Sequence, residues 1–336
     1  MPTLPARRLG SPASGVPSLD VSCLGLGCVG MSELYGPPSR EESIATLARA
    51  RELGVTLLDT SDIYGDGHNE SLLGDALIGH RDDVILATKF GAIRNPDGLS
   101  YRVDGRPAHV AAACEASLGR LRTDRIDLYY VHRIDPETPI EDTVGAMVDL
   151  MQAGKVRALG LCECSATTLR RAHAVHPITA VQTEYSLFER GPERELLATC
   201  RELGVSLVAY SPLGRGLLTG RITTTSSLTP LDYRRFDPRY ADSNLARNLG
   251  LIRALAERAD AIGCTPGQLA LAWLLHCGSD VVPIPGTKRR RYLEENTAAA
   301  GIELSPADRH ALGELFAPGE IAGERYHASE LARVEL

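Results

Sequence analysis

The stretch Arg51-Glu52-Leu53-Gly54-Val55 returns later in the chain as Arg201-Glu202-Leu203-Gly204-Val205, and each copy leads into an apolar run. In both copies a glycine stands where a helix needs a left-handed cap, and the run after it is typical of a buried strand. A third instance is Gln152-Ala153-Gly154-Lys155, which precedes the apolar residues 156–161. The chain therefore repeats one unit in which a helix ends at a glycine and a strand begins.

Eight short apolar runs, rich in β-branched residues, alternate with helical patterns along the chain. They cover residues 21–26, 56–59, 84–88, 126–131, 158–161, 180–183, 206–210 and 281–284. Each run is largely apolar rather than alternating, which is typical of parallel strands covered on both faces. Eight strands with eight crossovers predict an α/β fold, a (β/α)8 TIM barrel, whose functional groups lie at the carboxyl ends of the strands. We predict a single domain over residues 1–336, with a long loop after strand 7 at residues 220–244 and a C-terminal extension at residues 305–336.

Composition and charge favour a small-molecule partner. The 336 residues carry a net charge of −7, whereas nucleic-acid and membrane-surface binders usually show a basic face. No apolar stretch is long enough to span a bilayer, and residues 1–20 lack the apolar core of a secretory signal. The eight cysteines contain no C-x-x-C pair, so they indicate neither a disulfide framework nor a structural zinc site. We therefore expect a cytoplasmic protein with no nucleic-acid, membrane or metal partner.

The run Gly25-Leu26-Gly27-Cys28-Val29-Gly30 matches the G-x-G-x-x-G pattern that marks a dinucleotide site in a Rossmann fold. That motif must open a helix, but Gly36, Pro37 and Pro38 interrupt the residues where the helix would run. The pattern therefore predicts a glycine-rich loop at the barrel mouth, where the backbone can approach a ligand. A short-chain dehydrogenase is also disfavoured, because no tyrosine has a lysine four positions later.

Four ionisable residues lie at the ends of three consecutive predicted strands: Asp59 and Tyr64, then Lys89, then His132. A lysine in an apolar strand is costly to bury without a carboxylate, which Asp59 on the neighbouring strand can supply. A charged Lys89 would lower the pKa of Tyr64 from about 10 and make the phenol a usable proton donor. His132 can orient the carbonyl oxygen that receives this proton. Singly each residue has an ordinary structural role, but together they predict a site for carbonyl reduction.

Several motifs in chain order resemble the aldo-keto reductase superfamily over nearly the whole sequence. They are Leu58-Asp59-Thr60-Ser61-Asp62-Ile63-Tyr64-Gly65, Thr88-Lys89-Phe90-Gly91, Asp127-Leu128-Tyr129-Tyr130-Val131-His132-Arg133, Gln182-Thr183-Glu184-Tyr185-Ser186, Ala209-Tyr210-Ser211-Pro212-Leu213-Gly214 and Pro285-Gly286-Thr287-Lys288. With Gly30-Met31-Ser32 and Tyr35-Gly36, the chain looks closest to the bacterial and plant branch that includes perakine reductase-like and auxin-induced-protein-like members. The resemblance implies NADPH-dependent reduction of an aldehyde or ketone, an activity of the NADP-dependent alcohol dehydrogenase type. It makes Tyr64 the acid, Lys89 and Asp59 its tuning pair, and His132 the carbonyl-orienting residue.

A basic segment after strand 8 predicts the phosphate end of the cofactor site. Gly286-Thr287-Lys288-Arg289-Arg290-Arg291 opens a helix, and cations in a first turn oppose the helix dipole unless an anion lies there. We therefore expect Lys288 and Arg289 to bind a 2'-phosphate, which favours NADPH over NADH; a solvated basic face is the alternative.

The resemblance implies the other cofactor contacts. It places Asn296 and Glu295 at the adenine, Gln182 at the carboxamide and Tyr210 on the nicotinamide ring. The pyrophosphate would follow Ser211, Pro212, Leu213, Gly214 and Arg215, and further contacts are implied for Gly30, Met31, Asp59, Cys162, Glu163, Gly286, Thr287 and Tyr292. Where the family often has Ser-Asn or Ser-Glu after strand 5, this chain has Cys162-Glu163, and a thiol is a weaker hydrogen-bond donor than a hydroxyl.

The substrate pocket is expected to include Tyr35, Tyr64, Phe90, His132 and Arg133, together with the long loop and the tail. Two alternative functions come from other classes. One is a barrel metallohydrolase with Asp59, His132 and Glu184 as ligands, and the other is a non-catalytic NADPH-binding regulatory subunit, similar to the potassium-channel β subunits of the same superfamily. The sequence leaves open the physiological carbonyl substrate and the oligomeric state, a homo-oligomer included.

Overall fold

The computed structural model describes residues 4–96 and 100–335, and the strands within them build a closed barrel. The strands are β1 (Ala6–Leu9), β2 (Leu19–Ser22), β3 (Leu26–Gly27), β4 (Leu57–Asp59), β5 (Ile85–Phe90), β6 (Ala92–Arg94), β7 (Tyr101–Val103), β8 (Ile126–Val131), β9 (Val156–Cys162), β10 (Ala180–Glu184), β11 (Ser206–Tyr210) and β12 (Val281–Pro283). Eight of them form one sheet in the order β12-β11-β10-β9-β8-β5-β4-β3, in which neighbours are parallel. The two edges meet because Gly27 bridges to Gly286 and the Gly25 amide donates to the Pro283 carbonyl at 2.9 Å. The predicted (β/α)8 fold is confirmed.

The first predicted strand, residues 21–26, divides between two elements, so its assignment to the barrel is wrong in part. Its first residues belong to β2, which pairs antiparallel with β1, and only its last residue enters β3. Leu9, Leu19 and Val21 pack with side chains of the barrel interior, so the β1–β2 hairpin plugs one end of the barrel. Both segments are apolar and buried, and for this reason the sequence pattern does not separate them.

Helices surround the barrel and continue into the tail. They are α1 (Arg40–Glu52), α2 (His68–Ala76), α3 (Pro107–Leu121), α4 (Ile140–Gln152), α5 (Ala166–Val175), α6 (Leu196–Leu203), α7 (Asp242–Ile262), α8 (Pro266–Leu275), α9 (Arg290–Ala298), α10 (Pro306–Leu315) and α11 (Ala328–Leu331). The three predicted cap glycines Gly54, Gly154 and Gly204 have φ angles of 79°, 73° and 72°. These angles lie in the left-handed region that glycine adopts without strain, which confirms the repeated helix-to-strand unit.

Inside the barrel, a layer of apolar side chains is followed, towards the carboxyl ends of the strands, by a layer of polar side chains. Leu57, Ala87, Tyr130 and Ala180 belong to the cluster inside the barrel. Side chains two positions further along a strand face the same way. Those positions hold Asp59, Lys89, His132 and Gln182. The carboxyl ends of β4, β5, β8 and β10 therefore present these polar groups together at the barrel mouth.

The predicted long loop lies at the mouth, and the predicted C-terminal extension reaches it there through His327, whose ring contacts the Phe236 carbonyl oxygen. The loop contains three short 3-10 helices, Thr225–Ser227, Tyr233–Arg235 and Pro238–Tyr240. It ends slightly earlier than predicted, because α7 already begins at Asp242. Within residues 4–96 and 100–335, no helix has the length and apolar character needed to cross a membrane.

Candidate active site

The ammonium of Lys89 lies at the centre of the polar layer, and its three hydrogens have three partners. Nζ donates to Asp59 Oδ1 at 2.5 Å, to the Thr60 carbonyl oxygen at 2.7 Å and to Tyr64 Oη at 3.4 Å. Lys89 and Asp59 are only 1% and 3% exposed. Burial disfavours the ammonium, but the attraction of Asp59 and Tyr64 outweighs burial, so the pKa of Lys89 is raised. Lys89 is therefore a permanent cation beside a phenol.

Tyr64 holds its proton more firmly than the sequence predicts. Burial raises the pKa of Tyr64 above its ordinary value, and the attraction of Lys89 offsets burial only in part. The expected lowering of this pKa is therefore wrong, because removing the phenolate from water has the larger effect. A phenol that stays protonated at neutral pH is still suited to donate, since an acid catalyst must hold its proton until the carbonyl oxygen gains charge.

His132 faces Tyr64 with their ring centroids 5.8 Å apart and the planes at 84°. Burial, followed by the charges of Arg133 and Lys89, lowers the pKa of His132 well below its ordinary value, so the imidazole is neutral. Its Nδ1 lies 3.1 Å from Ser61 Oγ. When that hydroxyl donates to Nδ1, Nε2 carries the ring hydrogen and can donate to a carbonyl oxygen. Sequence reasoning missed Ser61, because a loop serine has no distinctive pattern.

Neutral side chains complete the support of this centre. Gln182 Nε2 donates to Asp59 Oδ2 at 2.7 Å, so both oxygens of the carboxylate are bonded. Asn69 Oδ1 accepts from Thr60 Oγ1 at 2.7 Å, and Asn69 Nδ2 donates to the Cys28 carbonyl oxygen at 2.8 Å. These contacts were not predictable from the sequence, because neutral side chains form no charge pattern. The carboxamide role of Gln182 stays a prediction.

The C-terminal tail closes over Tyr210, the predicted nicotinamide platform. Tyr326 Oη lies 2.7 Å from Tyr210 Oη, and Arg325 donates to the two Glu163 carboxylate oxygens at 3.1 and 2.7 Å. Arg325 is 5% and Glu163 1% exposed. Burial disfavours the Glu163 carboxylate, but Arg325 and Arg133 outweigh burial and hold its pKa below the ordinary value. Neither tail residue was predicted by number, since no motif of the sequence extends that far.

Cys162, next to Glu163, faces the barrel interior and is 2% exposed. Burial raises the pKa of its thiol to about 12. The group is therefore a protonated thiol, which agrees with a weak hydrogen-bond donor at this position and stands against a metal or redox role.

Arg215 does not fit the predicted role of a pyrophosphate donor. Its buried guanidinium donates through Nη1 to Asp237 Oδ2 and to the Arg325 carbonyl oxygen, both at 2.7 Å, and through Nη2 to Glu184 Oε2 at 2.9 Å. Two carboxylates already neutralise it. Glu184 also accepts from Arg239 at 2.9 Å, so it is not a ligand beside Asp59 as the metallohydrolase alternative requires. No group of three His, Cys, Asp or Glu side chains that could hold a metal ion occurs in the described part of the chain.

In the basic segment after β12, Lys288 is bonded to the protein, whereas Arg289 is exposed to solvent. Lys288 Nζ donates to the carbonyl oxygens of Tyr35, Gly36 and Pro37 at 2.9, 2.7 and 3.0 Å, so it fastens the loop after β3. Arg289 is exposed at the N-cap of α9. None of the hydrogen bonds or ion pairs among the described residues involves its side chain. Arg289 is therefore better placed than Lys288 to receive a phosphate.

The predicted adenine end lies under the long loop. Glu295 accepts from Arg221 Nη2 at 2.6 Å and from Thr265 Oγ1 at 2.9 Å. The Arg221 guanidinium also lies 4.6 Å from the ring centroid of Tyr292. Asn296, on the same helix, is 6% exposed. The loop is thereby fastened to α9 at the residues predicted to meet the adenine.

The remaining predicted contacts fall into two groups. One group lies on loops or short 3-10 helices at the carboxyl ends of β3, β11 and β12, and consists of Gly30, Ser211, Pro212, Leu213, Gly214, Gly286 and Thr287. Met31 is 1% exposed in the outer core, so its side chain is committed to packing.

Of the predicted substrate-pocket residues, Phe90 is misplaced. It is fully buried and stacks on Tyr129 at 4.7 Å between ring centroids, in the core outside the barrel. Since Lys89 points inward, the next residue on the strand must point outward. Tyr35 lies under the long loop, with the Arg234 guanidinium 5.2 Å from its ring centroid. Tyr64, His132 and Arg133 stay together at the mouth.

Comparisons with known proteins agree with this geometry. The model of the aldo/keto reductase family matches residues 23–315. A curated relative, the aldo-keto reductase yakc (NADP(+)) of Schizosaccharomyces pombe, is 44% identical over 96% of this chain and 95% of its own. A glycerol dehydrogenase structure from Gluconobacter oxydans has a TM-score of 0.83 at 28% identity, covering 93% of this chain and 95% of that one. An aldo/keto reductase from Klebsiella pneumoniae, solved with NADP and acetate, has a TM-score of 0.70 at 29% identity, covering 92% and 95%.

Proposed function

This chain belongs to the aldo/keto reductase family, and we propose that it reduces an aldehyde or ketone to an alcohol with Tyr64 as the proton donor. The family and its NADP-dependent relatives make the protein an NADPH-dependent oxidoreductase of carbonyl compounds. The observation that carries the role of Tyr64 is the single ammonium of Lys89, bonded at once to Asp59 and to the Tyr64 phenol, with His132 opposite.

The chain supplies the proton and the positioning for this reaction. NADPH, when bound, supplies a hydride to the carbonyl carbon. Tyr64 Oη gives its proton to the carbonyl oxygen, and Lys89 stabilises the phenolate that remains until solvent returns a proton. His132 Nε2 donates to the same oxygen and so orients it. Asp59, fixed by Gln182, keeps Lys89 charged and in place.

The residues present fit the proposed cofactor. Exposed Arg289 at the N-terminus of α9 offers a cation without a carboxylate partner among the described residues, which suits a 2'-phosphate. The loop from Ser211 to Gly214 turns sharply at Ser211 and Gly214, with φ of 47° and 54°, as backbone that approaches a pyrophosphate often does. Tyr210 would lie against the nicotinamide and Asn296 against the adenine. Lys288 would hold the neighbouring loop rather than the phosphate itself.

The decisive experiment is Tyr64→Phe, assayed as NADPH oxidation with a panel of aldehydes and ketones. We expect kcat to fall about 100- to 10,000-fold because the proton donor is removed. The dissociation constant of NADPH, measured by fluorescence titration, should stay within about twofold. Tyr129→Phe is the matched control, because Tyr129 Oη is buried without a hydrogen-bond partner among the described residues. Unchanged turnover in Tyr64→Phe would refute the proton-donor role.

Two finer statements belong to the same proposal. The activity is of the NADP-dependent alcohol dehydrogenase type, which the reverse assay with NADP and a panel of alcohols tests directly. The protein acts in the cytoplasm on a small carbonyl substrate, and sedimentation velocity will decide whether it does so as a monomer or a homo-oligomer.

A further inference from the structure

Arg133, which directly follows His132, is half-buried and has no carboxylate in direct contact among the described residues. Its Nη1 donates to the His132 carbonyl oxygen at 2.8 Å. Its Nε is buried and has no hydrogen-bond partner among the described residues. None of the ion pairs within residues 4–96 and 100–335 includes Arg133. A guanidinium is the group least able to lose its charge, so this arrangement is costly unless an anion joins it.

The carboxylate that acts on Arg133 through space, Glu163, is already bonded to another arginine. The Glu163 carboxylate accepts from both Nη atoms of Arg325. The other groups that act electrostatically on Arg133 are the side chains of Tyr101, Tyr210 and Tyr326, which are phenols rather than carboxylates. Cations therefore exceed available carboxylates at this point of the mouth.

We infer that Arg133 receives a carboxylate of the substrate, so that the physiological substrate is a small carbonyl compound that also carries an acidic group. This inference rests on the proposed function, because it places the reacting carbonyl between Tyr64 and His132. The guanidinium presents a planar pair of donors that matches the two oxygens of a carboxylate. The charge of Arg133 acts on the His132 imidazole, so its guanidinium lies near enough to the proposed carbonyl site for one small molecule to reach both.

The test compares two substrates that differ in one charge: para-carboxybenzaldehyde and its neutral methyl ester. Wild type and Arg133→Met are assayed with both at saturating NADPH. We expect the variant to lose about 10- to 100-fold in kcat/KM for the acid, mainly through KM, because a charge-assisted hydrogen bond is removed. The ester should change less than about twofold. Arg333→Met, which removes a charge from the tail, should change kcat/KM for neither the acid nor the ester.

Equal losses for acid and ester, or no preference of the wild type for the acid, would overturn the inference. If Arg133→Met fails to fold, inhibition of the wild type decides instead. Benzoate should then compete with the acid substrate and benzamide should not, and equal inhibition by the two would count against the carboxylate site. A different outcome would contradict the proposed function, namely that the wild type turns over neither aldehyde. An enzyme that reduces the ester but ignores the charge would therefore refute only the role of Arg133.

Discussion

Replacing Arg325 with methionine should separate the tail from the barrel mouth at a measurable cost in stability. Arg325 is 5% exposed and Glu163 1% exposed, so the change leaves a carboxylate buried without its cation. Breaking a buried ion pair on one side typically costs about 3–5 kcal/mol. Glu163 keeps two weaker partners, Thr183 Oγ1 at 3.2 Å and the Glu184 amide at 3.0 Å. We therefore expect the free energy of unfolding to fall by about 2–4 kcal/mol.

The assay is equilibrium unfolding in urea, followed by circular dichroism. The prediction is a lower midpoint with an unchanged slope, since the surface exposed on unfolding is nearly the same. Arg333→Met is the matched control on the same tail, because Arg333 and Glu330 form a pair in which both side chains are 31% exposed. Such a surface pair contributes less than about 1 kcal/mol. Equal losses in the two variants would refute the view that the Glu163 pair fastens the tail.

The same pair predicts a dependence on pH. Burial opposes ionisation of Glu163, but Arg325 and Arg133 outweigh it, and the pKa of the folded protein lies below the ordinary value. A depressed carboxylate pKa stabilises the fold above the unfolded pKa and loses that effect as pH falls through the folded pKa. The difference in stability between wild type and Arg325→Met should therefore be largest near neutral pH and shrink in acid. A difference that grows in acid would contradict this sign.

Three further predictions concern the cofactor, the catalytic histidine and one acidic residue. Arg289→Ala should raise the dissociation constant of NADPH about 10- to 100-fold more than that of NADH, whereas exposed Arg291→Ala should not discriminate between them; equal losses would place the 2'-phosphate elsewhere. Ser61→Ala should lower kcat about 10- to 100-fold with little change in KM, because His132 loses the partner that fixes its tautomer, and Ser61→Thr should restore most of the rate. Burial and then Glu70 raise the pKa of Asp62 to about 7, so the folded state loses stability as pH rises from the unfolded value of about 4, and the loss is complete above about pH 7. Asp62→Asn should therefore be more stable than wild type by roughly 1–3 kcal/mol at pH 8 and similar to it near pH 4.

The fold was predictable because its signals are local. The caps at Gly54 and Gly204 and the uniformly apolar runs predict eight parallel strands connected by helices, and the structure contains eight parallel strands that are each followed by a helix. The assignment of residues 21–26 to a single barrel strand was wrong for a physical reason. A hairpin that plugs a barrel is buried and must be as apolar as a barrel strand. Composition cannot tell these two environments apart. Only the pairing partner of each strand does, and that partner is a property of the tertiary structure.

The site was predictable only where charge lay in an apolar strand. A lysine in an apolar strand requires a carboxylate partner, and Asp59 does contact Lys89. The pyrophosphate role predicted for Arg215 does not fit the structure. Its guanidinium is bonded to Glu184 and Asp237, which come from distant parts of the chain that the local motif does not include. The error at Phe90 was avoidable, since the inward direction of Lys89 fixes the outward direction of its neighbour.

The balance of buried charge at the mouth gives a final prediction for Arg133. Lys89 is paired with Asp59, Arg325 with Glu163, and Arg215 with both Glu184 and Asp237. Replacing a paired buried charge by an apolar residue is destabilising because its partner is left alone, whereas removing an unpaired one relieves a desolvation cost. Arg133→Met removes only a through-space attraction to Glu163, which keeps both hydrogen bonds from Arg325. The urea midpoint of the substrate-free protein should therefore stay unchanged or rise, in contrast to Arg325→Met. A loss of stability as large as that of Arg325→Met would show that Arg133 serves the fold, and its charge would then be no evidence for an acidic substrate.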